Sequence, residues 1–199
     1  KRVGTPKVAA VEPSTDVPAT RAVNNPFNDT YAIYQWGIEN LGSGGLVTPS
    51  ISGISKAVAG ADVNAVAAWK LCAGDPSIVV SVLDEGVQYN HEDLKNNMWI
   101  NEAELNGTAG VDDDGNGYKD DVYGFNFATM SGTITWTKAG DTGHGTHVAG
   151  IVAAENNNSI GVCGIAGGSG KGDGVKLMSI QIFNGDDGAT TSGMVRAIQ

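Results

Sequence analysis

Ser77-Ile78-Val79-Val80-Ser81-Val82-Leu83-Asp84 is a run of β-branched and aliphatic residues with little alternation, and it closes on a carboxylate. Such a run reads as a strand covered on both faces in a parallel sheet. The carboxyl ends of parallel strands are where open α/β sheets build their sites, so Asp84, followed by Glu85 and Gly86, stands at a functional position. A second strand is expected over 175–183, from Val175 to Phe183, where apolar and polar residues alternate. Between them Gly143-His144-Gly145-Thr146-His147-Val148-Ala149-Gly150 opens a helix expected to run to about Glu155. Strands alternating with helices predict a doubly wound α/β fold, a parallel sheet flanked by helices.

Working outward, Asp62 is placed to cap a helix over 64–71 that Gly74 and Pro76 end. Residues 95–141 read as a long polar insertion with one short aromatic strand, Val122 to Phe127. A last helix begins near Thr190 or Thr191, with Met194, Val195 and Ile198 expected to face the core. Residues 1–30 hold four of the six prolines and show no periodicity, which predicts an extended leader ahead of a folded unit over 31–199.

The chain has 199 residues, a net charge of −10 and a sequence pI near 4.5, which argues against a nucleic-acid partner. No apolar run approaches the ~20 residues of a membrane span. Cys72 and Cys163 are too few for a disulfide scaffold, and two buried free thiols are the simpler expectation. The glycine-rich stretch 164–174 lacks the Ser or Thr that a phosphate loop needs after its lysine.

Asp84 and His144 can share one crevice although 60 residues separate them. An aspartate that holds an imidazole in one tautomer is part of an acyl-transfer triad, and imidazole titrates closest to neutrality. On spacing alone a structural pair fits as well.

Four blocks in order carry a resemblance: residues 79–87 around Asp84, His91-Glu92-Asp93-Leu94, residues 144–150, and Asn158-Ser159-Ile160-Gly161-Val162-Cys163-Gly164-Ile165-Ala166. Together they resemble the aspartate and histidine regions of the subtilisin-like serine proteases. The resemblance implies a serine endopeptidase in which Asp84 is the triad aspartate and His144 the general base, with His147 a buried structural residue. It also implies secretion, a removable pro-segment of which the leader is a remnant, and Arg21 as a processing point. Gly185, Asp186, Asp187 and Gly188 fall where family members line the cleft with backbone for an extended peptide; a plain turn is the other reading.

The family's Gly-Thr-Ser-Met-Ala serine motif and its oxyanion asparagine are not in the sequence. The chain therefore looks like the N-terminal part of a catalytic domain, completed by a C-terminal companion chain of the same precursor. The alternatives are a truncated fragment and an inactive binding module that keeps the Asp/His scaffold.

The resemblance further implies a bound Ca²⁺, held by Gln35, Asp93, Asn158 and the carbonyls of Ile160 and Val162, since oxygen ligands of mixed type suit a hard cation. A second stretch, Asp112-Asp113-Asp114-Gly115-Asn116-Gly117-Tyr118-Lys119-Asp120-Asp121, holds five aspartates. Counted from Asp112, oxygen side chains fall at positions 1, 3, 5 and 9 (Asp112, Asp114, Asn116, Asp120) with glycine at 6, as in an EF-hand loop, but position 12 is Tyr123 rather than Glu. This stretch is either a cation loop or a solvated acidic turn.

Overall fold

A computed structural model describes residues 25–42 and 58–199. Arg21 and most of the expected leader lie outside the described residues.

The sheet has three parallel strands, β1 (Val79–Asp84), β2 (Gly124–Asn126) and β3 (Lys176–Gln181), in the order β1-β3-β2. Asp84 stands opposite Gln181 on β3, and Asn126 stands opposite the same Gln181 from the other side, so all three strands end at one level. Helices are α1 (Ala65–Ala68), α2 (Glu102–Leu105), α3 (His144–Ala153) and α4 (Thr191–Ile198). The two strands and the helix at His144 agree with the pattern in the sequence, and the architecture is the expected α/β one.

Helix α3 lies close on the sheet because the residues it buries, Gly145, Ala149 and Ala153, form a stripe of small side chains at a spacing of four. Ala149 and Ala153 pack with Val82, Val87, Leu94, Met98, Val175 and Leu177 in the main core cluster. The approach is tightest at Gly145, where a β-carbon would lie 2.3 Å from the carbonyl oxygen of Glu85. The C-terminal end of α3 is tied down by Asn97, 1% exposed, whose side-chain amide donates to the carbonyls of Ala153 and Gly167, each at 3.1 Å.

The polar insertion is pinned by aromatic and amide contacts. Tyr89 stacks on Tyr123 with centroids 4.2 Å apart, and Trp136 meets Tyr89 edge-on at 4.9 Å. The buried Gln181 accepts from Asn126 Nδ2 and from the amide of Thr135, and donates to Thr135 Oγ1 and the carbonyl of Phe183. It thus fastens the segment after β2 to the end of the central strand.

Several expectations are corrected. The helix over 64–71 shrinks to Ala65–Ala68, because Asp62 spends its carboxylate on the amides of Asn64 and Asn40 and caps no helix, while Asn64 is left-handed (φ 54°). β1 is covered only at Val82; among the described residues it is an edge strand, and Val79 is 41% exposed. Met194, Val195 and Ile198 of α4 face solvent, and only Gly193 of that helix is buried. Both cysteines are free, but only Cys163 is buried and Cys72 is exposed.

Replacing Asn97 by Leu keeps the branching of the side chain, adds bulk, and strands two buried carbonyls, each worth ~1–3 kcal/mol when left without a donor. Asn97→Leu should therefore lose about 2 kcal/mol or more of unfolding free energy in urea, with an unchanged m-value.

Candidate active site

The carboxylate at the end of β1 and the first residue of α3 meet. Both oxygens of Asp84 approach His144 Nδ1, Oδ1 at 2.8 Å and Oδ2 at 2.7 Å. Asp84 is oriented by its own neighbour, since Oδ1 also accepts the amide of Glu85 at 2.7 Å. The Asp84 side chain is 14% exposed and that of His144 is 63% exposed, so the pair has a sheltered acid and an open imidazole. A hydrogen bond from Nδ1–H to Asp84 fixes the tautomer and leaves Nε2 as an acceptor. The hydrogen bond to Asp84, followed by that carboxylate's charge and with a smaller contribution from Glu85, holds His144 above the usual imidazole value of 6.5.

Gly143 starts the helix in a left-handed conformation (φ 77°) and offers no side chain to cap it. Glu85 fills that place from the strand side. Its Oε2 accepts the amides of Thr142 (3.0 Å) and His144 (3.2 Å), and the Thr142 hydroxyl bonds both of its oxygens at 3.1 and 3.2 Å. Reading the sequence singled out Asp84 and passed over its neighbour; the signal for Glu85 lay in the absence of any capping side chain at Gly143.

His147 is exposed rather than buried, a correction to the expectation from the sequence. With His91, Trp136 and Ile151 it lines a cavity of about 500 Å³ on the flank of α3. Residues 184–188 form a turn closed by an Asn184–Asp187 bridge, with Asp186, Asp187 and Gly188 exposed. This turn is seated against the loop that leads into α3: Lys138 Nζ donates to Asn184 Oδ1, and a β-carbon on Gly185 (φ 63°) would lie 2.4 Å from the carbonyl of Ala139. The expected cleft segment and His144 are thus joined through residues 138–143.

The residues expected around the first calcium converge on the loop after α3. Asp93, 3% exposed, accepts from Asn158 Nδ2 at 2.9 Å and from the amide of Val162 at 2.9 Å. Asn158 Oδ1 accepts the amide of Ile160, and Gln35 brackets the backbone of Cys163 with both its amide atoms. Asp29, 4% exposed and not foreseen in the sequence, enters the same place by accepting the amides of Asn157 and Asn158. Among the described residues neither carboxylate has an ion-pair partner. Burial pushes Asp93 above the ordinary carboxylate range, against the bonds from Val162 and Asn158, and the charge of Asp29 adds to the rise. Two buried carboxylates that repel each other, with the side chains of Gln35 and Asn158 bonded to the same loop, are a hard-oxygen set of the kind a divalent cation takes. The same burial, with Asp29 nearby, pushes the Cys163 thiol up to about 12, so it is inert at neutral pH.

In the acidic stretch, carboxylate oxygens of Asp112, Asp114 and Glu104 come within 4.8 Å of one another. Glu104 arrives from α2, outside the loop, supplying an acid where Tyr123 could not; it also accepts the amides of Asp113 and Asp120. Asn116 binds Asp114 and Asp121 through Nδ2. Asp120 turns away from the cluster to accept the amide of Gly110.

Comparisons with known proteins identify the family. The model of the subtilase family matches residues 75–199. Subtilisin-like protease 1 of Plasmodium vivax is 40% identical over 143 residues, covering 72% of this chain and 19% of that protein. The halolysin-like extracellular serine protease Nep of Natrialba magadii is 34% identical over 137 residues, covering 69% of this chain and 20% of that protein. The crystal structure of a serine protease of Aeromonas sobria superposes with a TM-score of 0.58 at 23% identity, covering 96% of this chain and 26% of that one, and shares the fold. The chain thus spans about a fifth of the length of these relatives, and over that span it belongs to the subtilase family.

Proposed function

We propose that this chain is the Asp- and His-bearing part of a secreted, calcium-stabilised serine endopeptidase. The observation that carries the reading is the Asp84 carboxylate set 2.7–2.8 Å from His144 Nδ1, with the imidazole open to solvent. His144 Nε2 takes the proton of a serine hydroxyl as the oxygen attacks the peptide carbonyl, then returns it to the leaving amine. Asp84 stays ionised, holding the tautomer and stabilising the imidazolium. The serine and the oxyanion asparagine come from a segment outside this chain, a C-terminal companion of the same precursor. The edge of β1 that has no partner strand among the described residues, with Ile78 and Val79 exposed, supports a further strand pairing there. Residues 185–188 bind the substrate backbone as an added strand. The leader would be the remnant of a removable pro-segment, with Arg21 as its processing point. An extracellular relative supports secretion, and no helix among the described residues is long and apolar enough to cross a membrane.

Calcium belongs to this reading at two places. At the first, Asp93, Asn158, Gln35 and the carbonyls of Ile160 and Val162, with Asp29 behind them, would hold the ion; at the second, Glu104, Asp112 and Asp114, with Asn116 alongside. Bound there, the cation supplies charge neutralisation and cross-linking, not chemistry.

A fluorophosphonate should label the full-length protein, and Asp84→Asn should lower kcat by on the order of 10⁴; an inactive binding module would give no adduct. The raised titration of His144 makes the neutral base scarce below its folded pKa, so the acid limb of kcat/KM lies above pH 6.5. Asp84→Asn should bring the His144 NMR titration back toward that value. The stabilisation from this pairing is fully present below pH 6.5 and fades as pH rises through the folded pKa. Chelation should cost about 3 kcal/mol for each occupied site at a free Ca²⁺ a hundred times its dissociation constant. In calorimetric titration, Asp93→Asn and Glu104→Gln should each remove one binding event.

A further inference from the structure

We infer that Glu85 is a positioning residue of the Asp84–His144 pair, holding the start of α3 so that the imidazole stays in register with the aspartate; this rests on the serine endopeptidase reading above. The chain needs such a group. Helix α3 begins with free amides, its capping residue is a glycine, and no side chain of its own segment accepts them. Glu85 supplies the acceptor from the end of β1, bonding the amides of Thr142 and His144 and the hydroxyl of Thr142. A carboxylate at a helix N-terminus is also favoured by the helix dipole.

The arrangement is a closed bracket. The Glu85 amide donates to Asp84 Oδ1, Asp84 holds His144 Nδ1, and the Glu85 carboxylate holds His144 N. The Glu85 carbonyl lies so near Gly145 that no β-carbon fits between them. One residue therefore fixes the aspartate rotamer through its backbone and the histidine backbone through its side chain. An imidazole displaced by a fraction of an ångström loses its line to the attacking hydroxyl, which is where orientation enters a rate.

The side chain also sets charge. Facing the imidazole are Asp84 and Glu85 from the strand end. On the adjoining loop Lys138 is engaged by Asn184, and Asp141 accepts the Lys138 amide. Asp186 and Asp187 stand on the turn beyond, and His147 lies one helical turn further on. Glu85 is the second negative charge acting on His144, after Asp84.

The test uses the full-length protein with steady-state kinetics across pH and NMR of ¹³C-labelled histidine. Glu85→Ala should lower kcat roughly tenfold with KM within about twofold. Glu85→Gln, which keeps a carbonyl acceptor for the two amides and preserves the fold, should recover most of that loss in kcat. It should also move both the His144 titration and the acid limb of kcat/KM to lower pH. Titrations of both variants that overlay the wild type would overturn the inference, as would an effect confined to KM, which would place Glu85 on the substrate. Wild-type protein with no turnover and no fluorophosphonate adduct would instead defeat the endopeptidase reading, and the histidine titration would still decide the role of Glu85.

Discussion

The closeness of α3 to the end of β1 governs the rest of this structure. Gly145 against the Glu85 carbonyl sets a backbone-to-backbone contact that any side chain would break, and Ala149 and Ala153 continue it down the helix. Because packing in a core is close, a helix held this near leaves no slack in where its first residue stands. Asp84 lies at the end of a strand whose register against β3 is fixed over six residue pairs. The geometry of the pair thus derives from backbone placement on both sides, and the hydrogen bonds between them select among few options.

The long insertion between Asp84 and His144 illustrates a second way of building order. It buries Met98, Phe125, Phe127 and Ile134, and between those anchors it is held through amides: Asn97 beneath α3, Asn101 bonded to Asp114 and Asp121, Asn126 on Gln181. Each of these side chains is almost fully buried. Buried amide networks are stabilising only when every member is satisfied, so such a segment is intolerant of single changes despite its polar composition. Two aromatic groups supply the apolar part of the attachment, Tyr89 with Tyr123 and Trp136, and Tyr118 with Phe125 and Phe127 against Ile180 and Ile182.

Much of the fold was legible in the sequence because strand and helix signals are local. The run 77–84, the alternation over 175–183 and the glycine-flanked helix start at His144 each declare themselves within ten residues. What sequence reading missed depends on partners far along the chain. Asp62 looked like a helix cap, yet its second oxygen serves Asn40, 22 positions earlier. Glu104 was invisible as a companion of Asp112 and Asp114 because α2 had to fold back over the loop. Glu85 stood beside the residue that was chosen, but its partners lie 57 and 59 positions away. The exposure of β1 and of α4 was misjudged for a related reason: an apolar pattern states that a face seeks cover, not whether this stretch of chain provides it.

The strap formed by residues 25–35 has a consequence for how the chain reaches this state. Asn25, Asp29, Thr30, Tyr31 and Gln35 all bond residues 157–163, some 130 positions away. Closing a loop of that length costs entropy that bonds within the strap cannot return, so the bonds to the distant loop must offset it. The strap therefore owes its position to bonds with the loop it grips, and a change that frees that loop frees the strap with it. The loop that follows the histidine helix is thus steadied by a segment from far earlier in the chain, and the two stand or fall together.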